Sequence, residues 1–167
     1  MTLSPERAGS EEAAKEAALR ILARGPRTER EVEGRLRGRG YHSEAVERAI
    51  ERLRRVSLLD DRAFVRSFLR TELFKAPQGK RLLELKLRRR GVPDALIRDL
   101  DALLEEDPDL AGRSLASEEG RAALGFAQLR GRYARLSPEV YRRRMQQALA
   151  RRGFGWDTIR DLLGEET

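Results

Sequence analysis

The 167-residue chain contains no cysteine and a single histidine. Disulfides, thiol catalysis and sulfur-ligated metal centres are thereby excluded. His42 stands beside the expected start of a helix, where a turn residue is a better reading than a catalytic base. Aromatic residues make up only 5% of the chain, too few to interleave with basic residues for sequence-specific reading of bases. No apolar run is long enough for a membrane-spanning helix. The opening stretch, MTLSPERAGSEEAAKEAA, lacks the apolar centre of a signal peptide, so a cytoplasmic protein with no membrane partner is expected. No segment alternates polar and apolar residues with a period of two, so no sheet is expected. There is no GxxxxGK[ST] phosphate loop, and no strand precedes a glycine-rich turn. Asp60 and Asp61 fit a helix cap better than a metal pair, and EEDPD at 105–109 reads as an acidic linker. We therefore assign no enzyme activity and no cofactor.

What the chain does have is charge. Charged residues reach 38%, with 35 Lys and Arg against 28 Asp and Glu, for a net +7. Lysine occurs only at 15, 75, 80 and 86; the other basic residues are arginine. Such a balance suits nucleic acid or an acidic protein surface, and arginine suits bidentate contacts to phosphate or carboxylate. The hydrophobic fraction, 40%, is enough for a core.

One phrase is written three times: RLRGRGY at 35–41, KLRRRGV at 86–92 and ALARRGF at 148–154. Leu36, Gly40, Tyr41, Val46, Ala49 and Leu53 recur as Leu87, Gly91, Val92, Ile97, Leu100 and Leu104, and again as Leu149, Gly153, Phe154, Ile159 and Leu162. Fixed spacing inside the unit with variable spacing between units marks a repeated supersecondary element. The phrase reads as a helix stop. Basic residues complement the negative helix end, glycine takes the left-handed conformation, and the next apolar residue folds back onto the helix. Ser43, Asp94 and Asp157 are expected N-caps for the helix that follows.

Other signals place the remaining helices. Leu19, Ile21 and Leu22 lie on a helix ended by Gly25-Pro26. Thr28 and Glu31 form a capping box. Phe64, Val65, Phe68, Leu69 and Leu73 form a helical stripe entered through Asp60 or Asp61. Leu82, Leu83 and Leu87 follow the Pro77–Gly79 break, and Leu96, Ile97, Leu100 and Leu104 share the next helix. Leu124, Ala127 and Leu129 mark a later one, and Ser137-Pro138 starts another. Gly34 and Gly38 fall inside a helix, where close packing or fraying would account for them. The expected fold is all-α: nine helices in three tandem three-helix units forming an elongated curved body. A flexible stretch at 1–16 precedes units at 17–57, 58–107 and 108–167. Repeated helical units offer an extended binding face. The recurring arginines, Arg35, Arg37, Arg39, Arg88, Arg89, Arg90, Arg151 and Arg152, are its candidate contacts. Neutralising helix ends is the other reading of the same residues.

SLLDDRAFVRSFLR at 57–70, followed by GKRLLELKLRRRGV at 79–92, resembles the RecX family, bacterial regulators of the RecA recombinase. Leu59, Asp60, Asp61, Phe64, Arg70, Gly79, Leu83, Leu87, Arg90 and Gly91 fall on the family's pattern for its middle unit. TEREVEGRLRGRGY at 28–41 and LARRGFGWDTIRDLL at 149–163 are similar to the family's first and last units. Lys80 departs from the family, which often has proline there; Val32 stands where leucine is common, and 112–136 carries little recognisable pattern. The resemblance implies a monomeric modulator, without cofactor, lodged in the groove of the RecA nucleoprotein filament. It would limit filament growth, ATP hydrolysis, strand exchange and cleavage of the SOS repressor, and so act on recombination and DNA repair. It adds Arg70 to the candidate contacts. Weak, non-specific DNA binding through the basic turns is expected beside this activity, or in its place if RecA is not the partner; a structural adaptor with a merely solvated charged face is the third reading.

Overall fold

A computed structural model describes residues 3–164. The described residues contain no strand and twelve helical segments: α1 Pro5–Ala8, α2 Glu11–Leu22, α3 Glu29–Gly38, α4 Ser43–Arg55, α5 Asp61–Lys75, α6 Lys80–Arg89, α7 Asp94–Arg98, α8 Leu100–Glu105, α9 Pro108–Ala111, α10 Glu118–Tyr133, α11 Pro138–Arg151 and α12 Trp156–Gly164. All nine expected helices are present. The one expected across Leu96–Leu104 is broken at Asp99, which leaves helical geometry at ψ 9°, and α1 and α9 are additional. The chain forms two compact units. One holds the residues up to Val65 together with Arg88–Asp94; the other holds Arg66–Leu87 and the chain from Ala95 onward.

The first unit is built on α2, α3 and α4. Its core joins Ala14, Ala17, Ala18 and Ile21 to Val32, Leu36, Tyr41, Val46, Ala49 and Leu53. Each fully buried Leu or Ile side chain contributes about 1.5–3 kcal/mol. The core face of α2 is made by three alanines and Ile21, while Leu19 is exposed. Small residues let the neighbouring helices approach closely. Residues 3–16, within the stretch expected to be flexible, carry α1 and the start of α2, with Ala8 and Ala14 buried; residues 1 and 2 lie outside the described residues. The second unit's last three long helices pack through Ala122, Leu129, Met145, Leu149, Phe154, Ile159 and Leu163. Leu124 and Ala127, which mark this helix in the sequence, are exposed; Gly125 faces inward, with Phe154 packed over it.

The repeated phrase stops helices as its sequence implies. Gly40, Gly91 and Gly153 have φ of 89°, 76° and 85°. At the first turn the Tyr41 amide donates to the Leu36 carbonyl (3.3 Å) and Gly40 to Arg37 (2.9 Å); at the third, Phe154 donates to Leu149 (3.3 Å) and Gly153 to Ala150 (3.0 Å). This is the Schellman pattern, and Tyr41, Val92 and Phe154 are buried behind it. The same stop occurs without glycine at Ser57 and Ser114, whose φ values are 55° and 56°. Leu58 donates to Leu53 and Leu115 to Leu110, at 3.0 and 2.8 Å.

Three expected caps shift by a residue or more. His42, not Ser43, is the N-cap of α4, and Asp94 and Asp157 already lie inside α7 and α12. Gly34 and Gly38 are helical, and a methyl group at either would meet nothing within 4 Å. Close packing therefore does not explain them.

Candidate interaction surface

The structure divides the nine candidate arginines into three groups. Arg35, Arg39, Arg89 and Arg151 are exposed, and their side chains form no ion pair or hydrogen bond with another described residue. Arg37 and Arg88 are exposed but engaged: Arg37 reaches Glu33 at 2.8 Å and Glu47 at 3.7 Å, and Arg88 lies 3.7 Å from Asp94. The remaining three, Arg70, Arg90 and Arg152, hold the fold together.

Arg90 is the clearest case. Its guanidinium forks onto the Glu31 carboxylate, with one contact at 3.1 Å, and stacks 4.9 Å from the centre of the Phe64 ring. Its carbonyl accepts the buried Thr28 hydroxyl proton at 2.7 Å. The capping box of α3 is present: Thr28 Oγ1 accepts from the Glu31 amide, and Glu31 accepts from the Thr28 amide, both at 3.2 Å. Arg90 closes this box from outside. Burial pushes the Glu31 carboxyl up, but the hydrogen bonds from Arg90 and from the Thr28 amide outweigh it and leave the group below its ordinary range. Arg90 is thus not a solvent-facing part of the basic turn, as the run of three arginines suggests.

Arg70 meets the buried Asp107 and lies 3.3 Å from Asp109. Asp107 in turn accepts the amides of Asp109 and Leu110 at 3.1 and 3.3 Å, capping α9. Arg152 is partly buried and donates to the Gly125 carbonyl (3.4 Å) and to Gln128 (3.2 Å); burial lowers its pKa.

Asp61 and Arg121 make contacts that their local sequence does not indicate. Asp60 caps α5 by accepting the Ala63 amide at 3.0 Å. Asp61 instead turns to α3 and accepts the Glu29 amide at 2.9 Å. Burial raises the Asp61 pKa; the Glu29 amide opposes this, and the nearby Glu29 carboxylate adds to it. Arg121 sits in the stretch without recognisable pattern, only 1% exposed. It donates to the carbonyls of Gln78, Leu115 and Ala116 at 2.9, 2.9 and 2.6 Å, and burial lowers its pKa. Nothing in its neighbours' sequence marks it as a core residue.

The first unit also carries an open cleft of about 720 Å³, lined by Glu29, Arg30, Glu33, Arg37, Asp61, Arg88, Gly91, Val92, Pro93 and Asp94. Of its lining charges, Arg37 pairs with Glu33 and Arg88 lies 3.7 Å from Asp94. No group of three or more Asp, Glu or His among the described residues is placed to hold a metal ion. No described helix is long and apolar enough to cross a membrane.

One repeated turn with its exposed arginines thus belongs to each of three helical segments. Models of the first, second and third three-helix domains of RecX match residues 14–53, 60–100 and 122–163. The chain belongs to the RecX family. It is 31% identical over 163 residues to the regulatory protein RecX of Chlorobaculum tepidum, covering 95% of this chain and 94% of that one. It is 36% identical over 159 residues to the regulatory protein RecX of Mycolicibacterium smegmatis, covering 93% and 80%. The crystal structure of RecX from Lactobacillus salivarius superposes with a TM-score of 0.71 at 25% identity, over 93% of this chain and 95% of that one. A second crystal structure of regulatory protein RecX, 24% identical with a TM-score of 0.72, shares the fold over 93% of this chain and 73% of its own. The three tandem RecX domains each contain one of the repeated turns, at Gly40, Gly91 and Gly153. RecX is a family of regulatory proteins, not a known class of enzyme.

Proposed function

We propose that this RecX-family chain regulates RecA by lodging in the groove of the RecA–DNA filament. There it limits filament growth, ATP hydrolysis and strand exchange. The observation that carries this reading is the match of all three RecX domains in order along one chain. Three tandem domains, each presenting a basic turn, give repeated contacts to a partner whose own surface repeats. A protein held across neighbouring filament subunits opposes the relative movement that an ATPase cycle needs. The contacts proposed here are the exposed arginines of the turns, Arg35, Arg39, Arg89 and Arg151, with Arg37 and Arg88 beside them; Arg70, Arg90 and Arg152 act through the fold.

The test is the DNA-dependent ATPase of RecA, titrated with this protein. Inhibition below one copy per RecA is expected. Reversing charge at Arg35, Arg39 and Arg89 together should weaken inhibition while the circular dichroism stays unchanged. Full inhibition by that variant removes the basic turns from the contact. An ATPase and a strand exchange both untouched by the wild-type protein would end the proposal.

A further inference from the structure

The positive charge of this chain is concentrated in one place. From Arg121 to Trp156 there are nine arginines and one acidic residue, Glu139, a formal +8. The whole chain carries +7, so everything outside that stretch amounts to −1.

The arginines there are also held differently from those elsewhere. On α4, Arg48, Arg52, Arg54 and Arg55 each face at least one glutamate. On α11, Arg142, Arg143, Arg144 and Arg151 are exposed, and their side chains make no ion pair or hydrogen bond with another described residue. The inner face of α11 is fixed by the buried Met145, Ala148 and Leu149. Arg143, Gln147 and Arg151, four residues apart, therefore line the outer face over about 12 Å, with Arg144 alongside. Uncompensated like charges repel one another within a Debye length of about 8–10 Å, so this row is tolerated at a cost that an anionic partner would remove.

The turn that ends α11 leads to the chain's only tryptophan. Phe154 and Ile159 on either side of it are buried, whereas Trp156 is 60% exposed. An exposed indole five residues beyond a row of unpaired guanidiniums selects among polyanions. A duplex keeps its bases stacked out of reach. A single strand offers phosphates to the arginines and a free base face to the indole.

We propose that the outer face of α11, together with Trp156, binds single-stranded nucleic acid without sequence preference, the arginines on phosphates and the indole on a base. This site lies within one compact unit and does not require RecA.

The full chain should be titrated with a fluorescein-labelled oligothymidylate, following both anisotropy and tryptophan fluorescence. Because Trp156 is the sole tryptophan, its emission reports on this site alone. Quenching that tracks the anisotropy is expected, with affinity falling as salt rises. Each phosphate contact contributes about 0.7 to the logarithmic salt slope for single strands, so R143Q/R144Q/R151Q should lower that slope by about 2 and weaken binding more than tenfold. W156L, read by anisotropy, should weaken binding about fivefold or more, the equivalent of one stacked base. R48Q/R52Q/R55Q, on α4 where each arginine faces a glutamate, should bind as wild type does. The proposal is overturned if the oligonucleotide fails to bind at low salt, or binds without altering tryptophan emission. Equal quenching by polyglutamate would overturn it in favour of an acidic protein partner. A loss in R48Q/R52Q/R55Q as large as that in R143Q/R144Q/R151Q would overturn it in favour of a response to overall charge.

Discussion

Substituting alanine for the three turn glycines should produce a ladder of destabilisation, because their backbones match while their surroundings differ. Gly40, Gly91 and Gly153 all have φ between 76° and 89°. An L-residue in that region costs about 1–2 kcal/mol, of which alanine returns about 0.4–1 by restricting the unfolded chain. Gly40 has nothing within 4 Å of an added methyl group, so Gly40→Ala should cost about 1 kcal/mol. At Gly91 the methyl would meet the exposed Arg30 side chain, with Cδ at 2.6 Å. The end of that chain can swing aside, but its Cβ, at 3.0 Å, is fixed to α3, so the additional cost lies between those at Gly40 and Gly153. At Gly153 it would meet Leu82 Cβ at 2.4 Å and the Leu82 backbone nitrogen at 2.6 Å, and neither can move without shifting α6. Overpacking of this kind adds about 1–3 kcal/mol, for a total of about 2–4. At about 2–4 °C per kcal/mol for a chain of this length, Gly40→Ala should lower Tm by a few degrees and Gly153→Ala by about 5–15 °C. Thermal unfolding followed by circular dichroism gives the answer, each variant being read on the transition that it moves, since the chain has two compact units. Equal shifts at all three positions, or the smallest shift at Gly153, would refute the claim that contact with α6 separates them.

Arg90→Gln should destabilise by about 1–3 kcal/mol, the range for hydrogen bonds to a charged group, whereas Arg89→Gln should stay within about 0.5 kcal/mol; urea titration separates them. The same variant tests a pH effect. Because the folded state depresses the Glu31 carboxyl, its stabilisation is present above the unfolded value and lost as pH falls through the folded one. Arg90→Gln should flatten that acid-side loss. Asp61 has the opposite sign: its pKa is raised by burial, so its ionised form weakens the fold above that pKa. Asp61→Asn, which still accepts the Glu29 amide, should be neutral or stabilising at pH 7, while Asp61→Ala should cost about 1–3 kcal/mol. Gly34→Ala, in an open helical position, should stabilise by about 1 kcal/mol in the same measurement.

What could be read in the sequence was local. The capping box at Thr28 and Glu31 and the stops at Gly40, Gly91 and Gly153 each need only neighbours within five residues. The middle stripe of Phe64, Val65, Leu69 and Leu73 also came through, because a long periodic run of large apolar residues has one interpretation. α2 did not: its alanines outline the core more faintly than Leu19, which faces solvent. Ser57 and Ser114 stop helices without the residue that announces a stop. The roles of Arg70, Arg90 and Arg121 were illegible for a different reason. Their partners lie 37, 59 and 43 residues away, and a basic residue at a helix end looks the same whether it faces water or a distant carboxylate. The middle basic turn therefore reads as three equivalent arginines, of which the fold claims Arg90.

The first turn of α3 has a bearing on how such a protein can be taken apart. Its Glu29 amide is capped by Asp61, its Thr28 hydroxyl donates to the Arg90 carbonyl, and its Glu31 is gripped by the Arg90 side chain. All three latches come from beyond the first repeat. In the other unit the Lys80 amide, at a place where proline would have none to give, donates to Glu118. The repeats are thus copies in sequence without being autonomous in folding. A fragment that ends between α4 and α5 would carry α3 with its latches missing, and a domain exchanged between two family members would have to bring both halves of each latch. Within each compact unit, likeness of sequence between repeats is therefore no guide to where the chain can be cut.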